Sequence, residues 1–352
     1  MTPAAPYAIR PYRPGDESVI LPLLQATLGE TAVAPRSQRF WSWKHLDNPF
    51  GPSFGLFAWD EQSRRALALR ILMRWRFRDG AGGRCDAVRA VDTATAPECR
   101  RLGLFTSLTT QAVGELARGG TRFIFNTPNA SSLPGYLKMG WQVVAVWPLH
   151  VQVVRPLRLA AGLARTQSRG SAALPAWEEF FRQGTESWGA FRGRCGGDVE
   201  QVVAAWERVR PRRGLRTERS VPYLDWRYGG HPSVTYAAVP VVRGGRLAGF
   251  AVLRPNVRFG LKEAVLAELF LREADPSLAR ELLSAVRRAV RSDYLIAHFA
   301  AGSFELSSLR RAWYLTAPGK GLTFAVRVLR EGGTDPLRAG AWDLSAGDLE
   351  VF

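Results

Sequence analysis

The sequence predicts a mixed α/β protein built from two tandem copies of one fold, each a central sheet flanked by helices. Three observations predict it. Strand-like and helix-like periodicities alternate along most of the chain. The stretch DTATAPECRRLGLFTSL, Asp92 to Leu108, reads as a strand, a Pro97 break, a basic turn with a glycine, and a helix. The phrase FWSWKHLDNP from Phe40 returns as YLDWRYGGHP from Tyr223, which sets Trp43 opposite Trp226, Lys44 opposite Arg227, His45 opposite Tyr228 and Pro49 opposite Pro232 at a constant offset of 183 residues.

The elements follow in order. Residues 7–13 alternate as a first strand, and Pro14-Gly15-Asp16 turns into ESVILPLLQATLG with Asp16 as the N-cap. A helix is predicted over Ser37 to His45. Strands are predicted over Phe54 to Trp59 and Ala66 to Phe77, joined by the polar turn DEQSRR, and Cys85 to Thr95 is the central strand. The next helix ends near Gly119-Gly120, and TRFIFNT is a buried strand. The first copy spans 1–156, an Arg-, Ala-, Gly- and Ser-rich junction 157–195, the second copy 196–330 and a tail 331–352, which is either an edge strand or an ordered strap. The neighbours of the repeated phrase agree: DVEQVVAAWERV echoes the first amphipathic helix, and RLAGFAVL from Arg246 echoes RALALRIL from Arg65.

A strand, a tight turn and a helix start make an anion site. The first amides of a helix point outward unpaired, and the helix dipole adds roughly half a positive charge there. Gly103 lets a phosphate approach the backbone without meeting a Cβ, and Arg100 and Arg101 can add charge-assisted bonds. The expected ligand is a pyrophosphate; a plain strand–helix connection is the alternative. No Walker or dinucleotide glycine pattern competes for the position.

Pro97-Glu98-Cys99-Arg100-Arg101-Leu102-Gly103-Leu104-Phe105 resembles the acyl-CoA-binding motif of the GNAT N-acetyltransferase superfamily, P-x-x-R-x-x-G-x-G/A, with Phe105 where the family has a small residue. PNASSLPGYLKMGWQVV resembles that family's second segment, with Asn129, Ser132, Tyr136, Gly140 and Trp141 in place. The resemblance implies two GNAT-like domains, each with a mixed, mostly antiparallel sheet, and acetyl-CoA or another short acyl-CoA as cosubstrate. It implies that the amides of Leu102, Gly103, Leu104, Phe105 and Thr106 hold the diphosphate with Arg100 and Arg101. Thr93, Ala94 and Thr95 would pair with the pantetheine arm as an added strand, and Asn129 and Ser132 would border it. Tyr136 would protonate the departing thiolate, and Asp92 would take the amine's proton. For each, a plainer reading stands beside the functional one. Tyr136 packs against the sheet, Asn129 caps a short helix, and Asp92 faces an arginine such as Arg89 as an ion pair.

The second copy differs at the sites of that chemistry. READPSLARELLSAVRRAV has no R-x-x-G-x-G between strand and helix, and GSFELSSLRRAWYL lacks both the N-x-x-S spacing and the terminal Gly-aromatic pair. The second copy is therefore expected to have lost coenzyme binding.

Composition bounds the rest. With 46% hydrophobic and 22% charged residues the chain belongs with folded globular proteins. The formal charge of +17 invites a nucleic-acid partner, but the arginines are scattered rather than gathered in a stripe, so nucleic acid is not favoured. Cys85, Cys99 and Cys195 cannot all pair and have no metal-ligand spacing, and His45, His150, His231 and His298 are dispersed, so no metal is expected. No stretch has the length of a membrane span and the start lacks an apolar signal region, so a soluble cytoplasmic protein is expected. The tryptophans, Trp41, Trp43, Trp75, Trp141 and Trp226 among them, are expected in the core, with one or two near an acceptor as the alternative.

These expectations converge on transfer of an acyl group from acyl-CoA to a primary amine of a small metabolite or amino sugar, by direct attack in a ternary complex. Two alternatives remain open: a Fem-like transferase using aminoacyl-tRNA, which the charge favours and the phosphate turn disfavours, and a non-catalytic acyl-CoA-binding or scaffold protein.

Overall fold

The computed structural model describes residues 7–31, 33–80, 82–164, 174–210 and 214–349. The chain divides into two units, residues 1–145 with 323–341 and residues 146–322 with 342–352.

In the first unit, β1 (Ala8–Pro11), β2 (Phe54–Asp60), β3 (Arg65–Arg78) and β4 (Arg84–Thr95) pair antiparallel in that order. β5 (Phe123–Asn126) joins β4 in parallel, and residues 325–328 lie antiparallel on β5 as a sixth strand. Among the described residues of this unit the α-helices are α1 (Glu17–Leu28), α2 (Gln38–Trp41), which runs into a π-turn at Ser42–Leu46, α3 (Leu104–Arg118) and α4 (Leu133–Lys138). The apolar run LALRILM in β3 is buried on both faces, as a central strand covered by helices requires. On α3 the buried residues Leu104, Leu108, Ala112, Val113 and Leu116 recur at helical spacing and form the stripe that packs on the sheet. Asp16 precedes α1 as predicted but does not cap it. Its carboxylate accepts from the Arg13 amide while Glu17 accepts from Gly15, so both acids serve the turn rather than the helix.

The second unit contains β6 (Gln142–Val153) from Val146 on, α5 (Pro156–Ala164), α6 (Trp177–Phe180), β7 (Glu186–Ser187), α7 (Trp188–Val209, broken at Gly196) and β8 (Arg216–Thr217). α8 (Val221–Leu224) runs into a second π-turn at Asp225–Gly229. After it come β9 (Ala237–Arg243), β10 (Arg246–Arg258), β11 (Leu261–Leu271), α9 (Pro276–Ala289), β12 (Tyr294–Ala297), α10 (Phe304–Arg311), the first part of β13 (Leu315–Val328) and α11 (Ala346–Leu349). β9, β10 and β11 are antiparallel, β12 is parallel to β11, and the end of β6 pairs antiparallel with β12.

Each unit thus takes in a strand from the other half of the sequence. This is why the division falls at Ala145 and Val146 instead of after residue 156, and why 323–341 belong with the first unit. The junction 157–195 holds α5, α6, β7 and the start of α7, and its residues 165–173 lie outside the described ones. The tail is a strap. It forms single bridges from Trp342 to Leu215 and from Ser345 to Phe299, and buries Trp342, Leu344 and Leu349; residues 350–352 lie outside the described ones.

The two stretches that share the phrase also share local features. Ser37 accepts from the Phe40 amide to start α2, and Ser220, its counterpart, accepts from Tyr223 to start α8. Both helices then widen into π-turns at matching positions, and both long hairpins carry a β-bulge, between Arg70 and Ile71 in one and between Val252 and Leu253 in the other.

Candidate functional site

The turn after β4 is open and unshielded. Pro97–Cys99 makes one 3-10 turn, and Arg100, Arg101, Leu102 and Gly103 are exposed. Arg101 and Gly103 both take left-handed backbone angles, φ 65° and 79°, so the chain curls back just before α3. Such a curl directs successive amides to one point. No side chain caps α3, and among the described residues no carboxylate pairs with Arg100 or Arg101. Uncapped amides at the helix start and its dipole thus lie beside two exposed arginines in sequence, a combination suited to an anion.

Beside the turn, β4 is released on one edge. Its parallel ladder with β5 consists of Val88 opposite Ile124 and Arg89 opposite Phe125, while β4 itself runs on to Thr95. On the other edge Thr93, Ala94 and Thr95 stay paired with Arg70, Leu69 and Ala68 of β3. Their remaining backbone groups suit an extended ligand added as a strand.

Tyr136 comes from α4 to this place. Its hydroxyl oxygen accepts from Arg70 Nη1 at 2.9 Å, which leaves its own hydrogen for another acceptor. The ring packs on Trp141 and, edge to face at 5.7 Å, on Phe105. Tyr136 is therefore buried, with its hydroxyl on a guanidinium and not on bulk solvent. Phe105 occupies the position where the GNAT motif has a small residue. Its half-buried ring packs against Gly135 and Tyr136.

Asp92 is the residue left over by the bulge in β4, with φ 31°. Its carboxylate is engaged three times: by Arg36 at 2.9 Å, Lys44 at 2.6 Å and His45 Nε2 at 3.0 Å. Burial alone would raise its carboxyl, but Lys44, His45 and Arg36 outweigh burial and hold it well below the ordinary carboxylate range. Burial in turn lowers both the Lys44 ammonium and the His45 imidazole against the pull of Asp92. A neutral His45 then donates from Nε2 to Asp92 and accepts at Nδ1 from Ser53, 2.9 Å away. The expected base thus sits in this geometry as the centre of an ion-pair cluster. The plainer reading of an arginine ion pair at Asp92 is met by Arg36; Arg89 donates to Thr127.

Asn129 ties the turn before α4: its Oδ1 accepts from the amide of Ser132, the residue that precedes the helix, and from the hydroxyl of Ser131, and no side chain caps α4 itself. The named tryptophans Trp41, Trp43, Trp75, Trp141 and Trp226 are all buried, which makes them core residues. The residue that sequence reasoning missed is Arg70, fully buried on β3 and bonded through Nη1 to Thr93 Oγ1 at 2.6 Å and to Tyr136. The signal was present: one charge inside the apolar run LALRILM of a central strand.

The corresponding place in the second unit is closed. Asp275 caps α9, and its carboxylate accepts from the amides of Ser277 and Leu278, so the groups that would hold an anion already have one. The cluster around Asp92 has its counterpart in Glu268, which accepts from Arg219 and Tyr228, the residues 183 positions after Arg36 and His45.

Residues 9–144 match the family model described as an acetyltransferase (GNAT) domain. No curated protein matches the chain. Among solved structures, a probable N-acyltransferase of unknown function from Enterococcus faecalis V583 is similar at TM-score 0.62 and 13% identity, over 93% of this chain and 73% of that one. A GCN5-related N-acetyltransferase from Anabaena variabilis is similar at TM-score 0.59 and 12% identity, over 92% and 73%. N-myristoyltransferase of Saccharomyces cerevisiae with bound myristoyl-CoA is similar at TM-score 0.58 and 13% identity, over 96% and 83%. The chain has a GNAT acyltransferase fold.

Proposed function

We propose that this protein is an acyl-CoA-dependent N-acyltransferase that moves a short acyl group, acetyl in the simplest case, to the primary amine of a small metabolite or amino sugar. The observation that carries the reading is the uncapped, twice left-handed turn Arg100–Gly103 at the start of α3, beside a strand whose edge is released at Thr93–Thr95. Myristoyl-CoA held by a neighbour of the same fold supports a coenzyme A thioester as donor.

In this reading the turn amides with Arg100 and Arg101 grip the diphosphate, and the β4 edge aligns the pantetheine arm. The amine attacks the thioester carbonyl directly. Alignment of the two reactants supplies most of the acceleration; Tyr136 donates its hydroxyl proton to the sulfur as the carbon–sulfur bond breaks, and the proton that the amine nitrogen loses on forming the amide passes through solvent and restores the Tyr136 hydroxyl. The second unit, with its capped α9, serves as a degenerate copy that binds no coenzyme.

The test is calorimetric titration with acetyl-CoA and with coenzyme A, followed by a panel of amines. Arg100→Ala combined with Gly103→Glu, which puts an acid in the phosphate turn, abolishes both bindings. Tyr136→Phe leaves coenzyme binding in place and lowers kcat by about 10²-fold. Coenzyme binding that survives the double variant, or full turnover in Tyr136→Phe, refutes the respective assignment.

A further inference from the structure

Arg70 is fully buried, and its charge has no acid beside it. Nη1 spends its two hydrogens on Thr93 and Tyr136, while Nε and Nη2, the other edge of the fork, have no hydrogen-bond partner. Phe105 and Tyr136 lie against the group, at 5.6 and 5.3 Å from Cζ, and a ring face offers a cation its quadrupole but no counter-ion. Among the described residues no carboxylate forms an ion pair with it, although arginines elsewhere in the core do find acids: Arg219 has Glu268 and Asp348, and Arg210 has Asp343. A buried charge without a partner is costly to a folded chain. Chains keep such a group where a ligand supplies the missing partner.

We propose that the Nε–Nη2 edge of Arg70 is the binding site for a carboxylate at the end of the transferred acyl group, so that the preferred donor is the coenzyme A thioester of a dicarboxylic acid. The Nε–Nη2 pair of hydrogens matches the two oxygens of a carboxylate. Position names the acyl group as the source: Arg70 is bonded to Thr93, on the strand assigned to the pantetheine arm, and to Tyr136, the residue assigned to the leaving sulfur. The inference rests on the acyltransferase reading, and it makes Arg70 a substrate-selecting residue within that site.

The experiment compares succinyl-CoA, butyryl-CoA and free coenzyme A by titration against the full chain, Arg70→Met and Arg70→Lys. Butyryl-CoA has the same number of acyl carbons without the acid, and free coenzyme A reports whether the phosphate turn and the fold survive the change. Wild type prefers succinyl-CoA over butyryl-CoA by about tenfold or more, as a charged hydrogen-bond pair requires. Arg70→Met removes that preference with coenzyme A binding unchanged, and Arg70→Lys restores part of it. Equal binding of the two thioesters by wild type, or a preference that outlasts Arg70→Met, overturns the inference. A succinyl preference that appears only when an amino-acid acceptor is absent also overturns it, since the acceptor's carboxylate would then own the site. Should a variant fail to fold, competition on wild type decides: succinate added with coenzyme A strengthens coenzyme binding, and butyrate does not. If no thioester and no coenzyme A bind to wild type, the acyltransferase reading itself fails.

Discussion

At the scale of single residues, the first unit is governed by where three charges went. Asp92, expected as a base, is the anion that makes two basic groups tolerable inside the domain, since Lys44 and His45 are buried against it. Its contribution to stability follows from the sign of its shift. The folded carboxyl lies below its ordinary 3.8, so the stabilisation is fully present above about pH 4 and is lost as pH falls through the folded value. The buried imidazole acts at higher pH: the unfolded chain takes up a proton at His45 near the ordinary 6.5, which the folded form refuses, so stability declines from there downward. Asp92→Asn keeps the shape and removes the charge, and a broken buried pair costs about 3–5 kcal/mol. Urea unfolding at pH 7 is expected to show that loss, and the gap to wild type is expected to stay level down to about pH 4 and shrink below it. A variant as stable as wild type at pH 7 would return Asp92 to the list of catalytic candidates. Arg70 is the reverse case, a buried cation without its anion. Neither outcome was legible from residue type, because a charge in a strand reads the same whether its partner is a side chain 56 positions away or a ligand.

At the scale of elements, the sequence was most legible where backbone chemistry decides. The strands of both hairpins and the helix after Gly103 lie where periodicity and turn residues put them, because apolar alternation and left-handed glycines leave few other options. The bulge at Asp92 was not legible, since it arises from a mismatch of one residue between β3 and β4 and no residue type announces it. The contrast between α3 and α9 was half legible. Loss of R-x-x-G-x-G was visible, whereas its replacement by an acid that fills the helix start became visible only as Asp275 accepting from Ser277 and Leu278. The carboxyl is pulled down to about 2 by the Ser277 hydroxyl first and the capping amides after it, so the cap is charged through the whole neutral range. Asp275→Ala is expected to lower the melting temperature without adding a second coenzyme equivalent in titration. A second equivalent would mean that the acid alone keeps the second copy silent.

At the scale of the whole molecule, the likeness of FWSWKHLDNP to YLDWRYGGHP was visible in the sequence, but the assignment of strands to units was not. A sequence repeat marks where each copy begins and says nothing of which copy its last strand joins. Here β5, buried along its whole length, has residues 325–328 as its outer neighbour, which lie some 200 positions further along the chain. Cutting after residue 145 therefore removes the strand that covers β5 and exposes the ladder groups of Phe123–Asn126 on an apolar edge, the condition that drives strand-to-strand aggregation. Residues 1–145 alone, although they contain the whole phosphate turn, Asp92 and Tyr136, are expected to be insoluble or to bind no coenzyme A. A single chain in which a flexible linker carries residue 145 into 323–341 is expected to fold and to bind it. Exchange of the β5 amides with solvent measures the difference directly, slow in the joined chain and fast in the short one. If the short fragment proves soluble, protected at β5 and able to bind coenzyme A, the sixth strand is dispensable and the first unit closes without help from the C-terminal half.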